Sequence, residues 1–285
     1  MKTIKLLLLL FVLPAIGCAT KSSYPDRPGG AALDAIATDV LSIDFGSPIE
    51  RRGTESNFSG VRSKDVLVSQ RTDSRTYFVQ DLRYESETGG GYRGSDEDHL
   101  AIARRMLEGL GVPASEIASA VVLTEKLQTA RRDGDRYLAG PTADGKRFVE
   151  AMRQVGTLPV FSSRAFIGLT ERKSPGTLEV HWPRIPDDVL RRGSQLQDMV
   201  ARGWRPPVKT GGRIESVEAG VIHSPAIGFV MDIVPVIRVI VAPENADIGR
   251  KGVLYFDAEG REVPYPRTFE RLDPPKNIQR ASPKP

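Results

Sequence analysis

The chain has 285 residues, with 40 Lys and Arg against 36 Asp and Glu for a net charge of +4. Its basic residues are dispersed, and the pairs Arg51-Arg52, Arg131-Arg132 and Arg191-Arg192 read as solvated surface, so the charge gives no ground for a nucleic-acid partner. Residues 18–285 suffice for one large or two small domains with real cores.

Lys2 and Lys5 precede an apolar run from Leu6 to Leu13, which is followed by Pro14-Ala15-Ile16-Gly17-Cys18. A basic start, a short apolar stretch and small residues make a secretory signal over 1–17. The run is far shorter than the roughly 20 residues that span a bilayer. Removing Lys2 and Lys5 with the signal takes the net charge from +4 to +2. Cys18 is the only cysteine, so it has no intramolecular disulfide partner in the oxidising compartment that a signal implies. Ala15-Ile16-Gly17-Cys18 resembles the lipobox of bacterial lipoproteins, where small residues let the signal peptidase reach the backbone and the cysteine thiol receives a diacylglycerol. The resemblance implies lipidation of Cys18 as the membrane attachment. Ala19 stands where a retained inner-membrane lipoprotein carries Asp, which points to the outer membrane, facing the periplasm or the cell surface.

Residues 18–38 read as the lipidated N-terminus and a flexible tether, because their first part is polar and rich in Pro and Gly. Leu33, Ile36, Val40 and Leu41 fit a helical face, while Val40 to Phe45 also alternates; a short strand over 39–45 is preferred. Residues 51–64 form a charged, Gly- and Ser-containing loop. Val66–Val68 and Tyr77–Tyr84 predict a hairpin with Phe78, Leu82 and Tyr84 on one face. Gly89-Gly90-Gly91 lacks the lysine and helix of a phosphate-binding loop and reads as a connector.

Ser95 is a helix N-cap with Asp96, Glu97 and Asp98 in the first turn, where carboxylates face the positive end of the helix dipole. Leu100, Ala103, Leu107 and Leu110 mark the buried stripe, and Gly111 and Pro113 stop the helix. Ala120–Leu127 alternates as a strand, and 131–145 is a polar loop. From Lys146 to Trp182 come three strands joined by turns at Gly156–Pro159 and Ser174–Gly176. Phe161, Ser163, Ala165, Ile167 and Leu169 face a core in alternation with Ser162, Arg164, Phe166 and Gly168. The order then recurs: a helix from Pro186 carrying Val189, Leu196, Met199 and Val200, weakened at Gly193 and ended by Gly203, then strands over 214–222, 227–241 and 252–256. Turns fall at 245–247 and 258–260. The tail over 273–285 is Pro-rich, polar and expected to be disordered.

A helix followed by an antiparallel meander, with Val155-Gly156, Pro159-Val160 and the alternating strand to Leu169, resembles the PepSY-type domain, a small cystatin-like module. The resemblance covers about 95–183, with a more degenerate second copy over 186–265. It implies an α+β fold with a helix packed on an antiparallel β-meander, in up to two tandem modules: 39–185 with its N-terminal strands, and 186–272. Such domains are linked to protease propeptides, protease inhibition and regulation of envelope proteins, and they carry no catalytic set to transfer.

The chemistry-bearing residues are sparse. His99, His181 and His223 are the three histidines and show no metal-ligand spacing. His99 reads as part of a helix start beside Asp96 and Asp98. His181 reads as an outward, solvated residue beside Trp182, and His223 precedes a Ser-Pro turn with no nucleophile to pair with. No nucleophile elbow is present, and Ser163 faces the core. Trp204 with Pro206-Pro207, and Phe161 with Phe166, read first as packing. The expectation is a non-enzymatic lipoprotein with no cofactor and no metal, binding an envelope protein or peptidoglycan through the meander turns at Thr157 and Lys173. The alternatives are an envelope hydrolase with an acidic active site and a structural spacer.

Overall fold

The computed structural model describes residues 33–52, 58–71, 74–86, 90–133, 136–207, 212–225, 231–243, 251–264 and 279–282. The expected signal, Cys18, the tether up to residue 32, the turn at 245–247 and residues 273–278 and 283–285 of the tail lie outside the described residues.

The described chain is mixed α+β, built on one large, mostly antiparallel sheet. Its first eight strands are β1 (Glu50–Arg52), β2 (Phe58–Arg62), β3 (Val66–Arg71), β4 (Thr76–Asp81), β5 (Ile117–Asp133), β6 (Arg136–Val155), β7 (Leu158–Leu169) and β8 (Pro175–His181). They are followed by β9 (Gly212–Pro225), β10 (Met231–Pro243), β11 (Gly252–Phe256) and β12 (Gln279–Ser282). The main order is β1-β2-β3-β4-β8-β7-β6-β5-β12, and β9, carrying β10 and β11, joins β7 through a parallel bridge at Val160 and Val221.

α1 (Leu33–Ala35) runs into a π-helical turn over Ile36–Val40, so the strand expected at 39–45 does not form. Leu33, Ile36 and Leu41 are buried from the helical part, and Ile43 and Phe45 from the irregular chain beyond it. The two overlapping patterns were both real and follow one another. β4 also departs from expectation: Tyr77 and Val79 point into the core and Phe78 points out. The chain then turns into α2 (Leu82–Ser86), which breaks the period-two count, buries Tyr84 and leaves Leu82 48% exposed.

α3 (Asp96–Gly109) starts on a complete capping box, with the Ser95 hydroxyl accepting from the Asp98 N–H and the Asp98 carboxylate from the Ser95 N–H. Its stripe of Ile102, Ala103, Met106 and Leu107, extended by Leu110, shares one apolar core with Val79, Val149, Ala151, Ala165, Ile167, Leu169, Leu178 and Val180. The helix ends at Gly111, whose φ of +84° suits glycine. The polar loop expected over 131–145 is instead the far end of the β5–β6 hairpin, where Arg131 pairs with Leu138. Arms solvated on both faces need no apolar alternation, so they leave no periodic signal.

α4 (Asp187–Ala201) buries Val189, Gly193 and Leu196. Gly193 is a contact point rather than a defect, because a Cβ there would meet Leu158 Cδ2 at 2.5 Å. β7 is thus shared. Its first half, Leu158 and Val160, packs with Val189, Ile185 and Val221, and its second half packs with the α3 core.

Candidate functional site

The register between β6 and β7 jumps: Met152 pairs with Arg164, but the next residue, Arg153, pairs with Val160. Phe161, Ser162 and Ser163 are therefore surplus on β7, a bulge that bends the strand away from β6 and turns successive side chains into different surroundings. Phe161 joins Ile222, Val236 and Tyr255 in the core beneath β9–β11, with the Arg238 guanidinium 3.9 Å from its ring centroid. Ser162 and Ser163 organise two adjoining polar clusters.

Ser163 belongs to the buried one. Arg153, fully buried, donates from Nε to Glu116 Oε2 at 2.8 Å, from NH1 to the Pro183 carbonyl at 2.7 Å and from NH1 to Ser163 Oγ at 3.3 Å. The Trp182 indole N–H donates to the same Glu116 oxygen at 3.0 Å, and the guanidinium lies 5.3 Å from the Trp182 ring centroid. An ion pair taken from water is tolerated only when its remaining hydrogen-bonding capacity is filled in this way. The cluster ties the turn before β5 to β6, β7 and the end of β8.

Ser162 belongs to the second cluster. Its Oγ lies 2.6 Å from His223 Nδ1 and accepts the His223 backbone N–H at 2.8 Å. His223 Nδ1 also lies 3.1 Å from His181 Nε2, the rings meeting edge to face at 86°. His181 Nδ1 in turn lies 2.8 Å from Thr76 Oγ1 on β4. Two tautomer sets are compatible with these contacts, each with His223 Nδ1 shared between Ser162 and His181 in a three-centre bond. In one, Thr76 and Ser162 donate their hydroxyl protons to the imidazoles; in the other, each Nδ1 donates outward. Both leave the same atom over, His223 Nε2, which is buried without a partner.

Burial is the main reason that both imidazoles resist protonation. His181 is pushed down to about 4, with Arg153 and Arg71 adding repulsion, and His223 to about 2, with His181 and Arg153 adding theirs. At neutral pH the pair is uncharged. Among the described residues no group of three or more His, Cys, Asp or Glu gathers to hold a metal ion. The cavities lie elsewhere. One of about 250 Å³ is lined by Asp44, Asp81, Arg83, Tyr84, Thr170 and Arg172, and both Asp81 oxygens there are held by Arg83. A larger, more open one of about 560 Å³ lies between Ser47 and Lys64, at the β1–β2 edge. Neither reaches the histidines. The cluster can therefore staple β4, β8, β7 and β9 together and respond to protons, and neither of these two cavities is lined by Ser162.

Two expectations about histidine are corrected here. His181 is not a solvated outward residue, because β9 passes over it and brings His223 against its ring. His223 does have a hydroxyl partner, Ser162, 61 positions away in the chain. His99, at the start of α3, is 1% exposed; its Nδ1 lies 2.8 Å from the Ser95 carbonyl, and its ring lies against Tyr92. The expected contact residues Thr157 and Lys173 sit at opposite ends of β7, whose 12 residues span roughly 36 Å at about 3.3 Å per step, so they do not form one site. The Thr157 carbonyl accepts from Gln197 of α4 at 2.9 Å. Lys173 holds a left-handed φ of +66°, and its ammonium lies 5.2 Å from the Tyr92 ring centroid. Trp204 packs on Phe256, and Phe166 stacks on Phe148. Sequence reading missed Arg153 and Glu116, whose separation of 37 positions carries no local pattern. No family model, curated protein or solved structure matches the chain.

Proposed function

We propose that this chain is an outer-membrane-anchored bacterial lipoprotein, held through Cys18, whose folded part is a non-enzymatic binding module for an envelope protein or peptidoglycan. The observation that carries the reading is the lone cysteine directly after Ala15-Ile16-Gly17 at the end of a short apolar run. Each buried acyl methylene contributes about 0.8 kcal/mol, so two or three chains on Cys18 hold the protein essentially permanently. We read α3 with its meander, and α4 with β9 and β10, as two cystatin-like modules, over 39–185 and 186–272, the second degenerate. Support comes from the helix-then-strands order occurring twice, with α3 packed on the meander and α4 packed on β9 and β10 and also on the first half of β7. The non-enzymatic reading is supported by the engagement of Ser162, His181 and His223 with one another.

The test is the Cys18→Ser protein, which should accumulate as uncleaved precursor and take up no labelled fatty acid. Normal processing with retention in the membrane fraction would remove the anchor. For the binding role, photoreactive residues at Thr157 and Lys173 in intact cells should capture an envelope protein or wall fragment. A hydrolase is the second reading, favoured by the 2.6 Å Ser162–His223 contact. It replaces the first if neither position captures anything and the purified domain turns over an ester or glycoside substrate that the Ser162→Ala form does not.

A further inference from the structure

The sheet has unequal edges. β1 is three residues long and reads Glu50-Arg51-Arg52, the short, charged edge that discourages pairing with other chains. β5, next to the terminal four-residue β12 at the other end of the main order, is 17 residues long. β6 covers one of its sides. Along the other side, only Lys126 to Thr129 are paired among the described residues, by β12 in parallel register from Gln279 opposite Lys126 to Ser282 opposite Thr129. Beside that short contact runs Ser119-Ala120-Val121-Val122-Leu123-Thr124, with no charge, proline or glycine, and with Val121 42% exposed. An uncharged, β-branched edge of this kind is a template for a further strand. The strand at 279–282 also corrects the expectation that the whole tail is disordered.

We propose that the edge of β5 opposite β6, paired among the described residues only by β12, is an acceptor site for an extended polypeptide segment running parallel to it, with the chain's own Gln279–Ser282 as the resident. This names a partner class for the binding module above and rests on that reading for its biological sense. The resident shows the direction and the register. Its hold is local: four paired positions supply few main-chain hydrogen bonds, each contributing about 0.5–1.5 kcal/mol net. Tethering keeps it in place, because a segment of the same chain is present at an effective concentration that reaches about the millimolar range. An external strand at Lys126–Thr129 meets the same backbone groups and, beyond the irregularity between Thr124 and Lys126, ones that no described strand pairs on that side. Strand addition draws its affinity from the main chain, so the partner is defined by extended, proline-poor backbone more than by side chains.

The experiment uses the mature chain in detergent, intact and with residues 279–285 removed, and follows amide exchange along β5. Removal should speed exchange at Lys126–Thr129 at least tenfold, and a synthetic peptide of residues 276–285 at millimolar concentration should restore protection. Two N-methylated peptides, one modified at Gln279 and Ala281 and the other at Arg280 and Ser282, complete the test. Alternate amides point to opposite sides of a strand, so one should bind and the other fail. A truncated chain that dimerises through β5, reversed by the peptide or by Val121→Lys, would also support the acceptor, with a second copy as occupant. Equal exchange in intact and truncated chains, or binding indifferent to both methylation patterns, would overturn the proposal. Neither result touches the Cys18 anchor, which is read from processing and acylation.

Discussion

Ser162 holds His223 twice, its hydroxyl lying 2.6 Å from the imidazole Nδ1 and accepting the backbone N–H at 2.8 Å. β7 and β9 otherwise share one parallel bridge, so this single hydroxyl carries much of the polar connection between them. Replacing Ser162 by Ala leaves a backbone N–H without its acceptor, a loss of about 1–3 kcal/mol. Urea denaturation should show that loss. A Ser162→Ala protein as stable as the parent would mean that the bulge is held by packing alone.

Stability should fall on acidification because of the same cluster. In the unfolded chain a histidine takes a proton near 6.5, whereas burial, with Arg153 and Arg71, pushes His181 down to about 4 in the fold. The fold therefore prefers the neutral ring. Its contribution is complete above pH 6.5 and is lost as the pH drops from 6.5 towards 4, by roughly 1.4 kcal/mol per pH unit and about 3 kcal/mol in all. Denaturation midpoints measured across that window should fall less steeply for His181→Gln than for the parent. Parallel slopes would assign the acid sensitivity to other groups.

Arg153 and Glu116 form the buried ion pair on the other side of the bulge. Changing Arg153 to Met strands the Glu116 charge away from water and should lower stability by about 3–5 kcal/mol. Adding Glu116→Leu removes the stranded charge, so the double variant should recover part of the loss, with the Trp182 indole N–H left to repartner. A double-mutant cycle by thermal denaturation measures the coupling. Purely additive losses would show that the pair does not act as a unit.

Ile167 and Leu169 lie in one core with Leu107 and Leu110, and Leu100 packs at its margin. Ile167→Ala should cost about 2–5 kcal/mol by chemical denaturation. An unchanged midpoint would mean that the face of β7 has been misassigned.

Tyr84 rests on glycine. A Cβ at Gly176 would come within 2.1 Å of its Cγ, and one at Gly168 within 2.6 Å of its hydroxyl. Gly176→Ala should therefore destabilise the chain by displacing the ring. In the Tyr84→Ala background the same change should cost much less, a non-additivity that calorimetry can read. Equal costs in both backgrounds would move the strain elsewhere.

Elements with a local cause were legible in the sequence. The capping box at Ser95 and Asp98, the stripe of α3, the alternation from Ala165 to Leu169 and the glycine stop at Gly111 all arise from contacts or dihedral limits within a few residues, so they leave a periodic or positional trace. The β5–β6 arms and the start of α2 escaped because solvated strands and short helices leave no such trace. Only the tertiary structure decided the role of Ser162, His181, His223, Arg153 and Glu116. The contacts Arg153–Glu116, His181–His223, Ser162–His223 and Thr76–His181 span 37, 42, 61 and 105 positions, and the register jump on β7, invisible in any one strand, sets Ser162 and Ser163 against them. Burial then sets their charge, because the cost of holding a proton on His181 depends on what covers the ring and not on its neighbours in the chain.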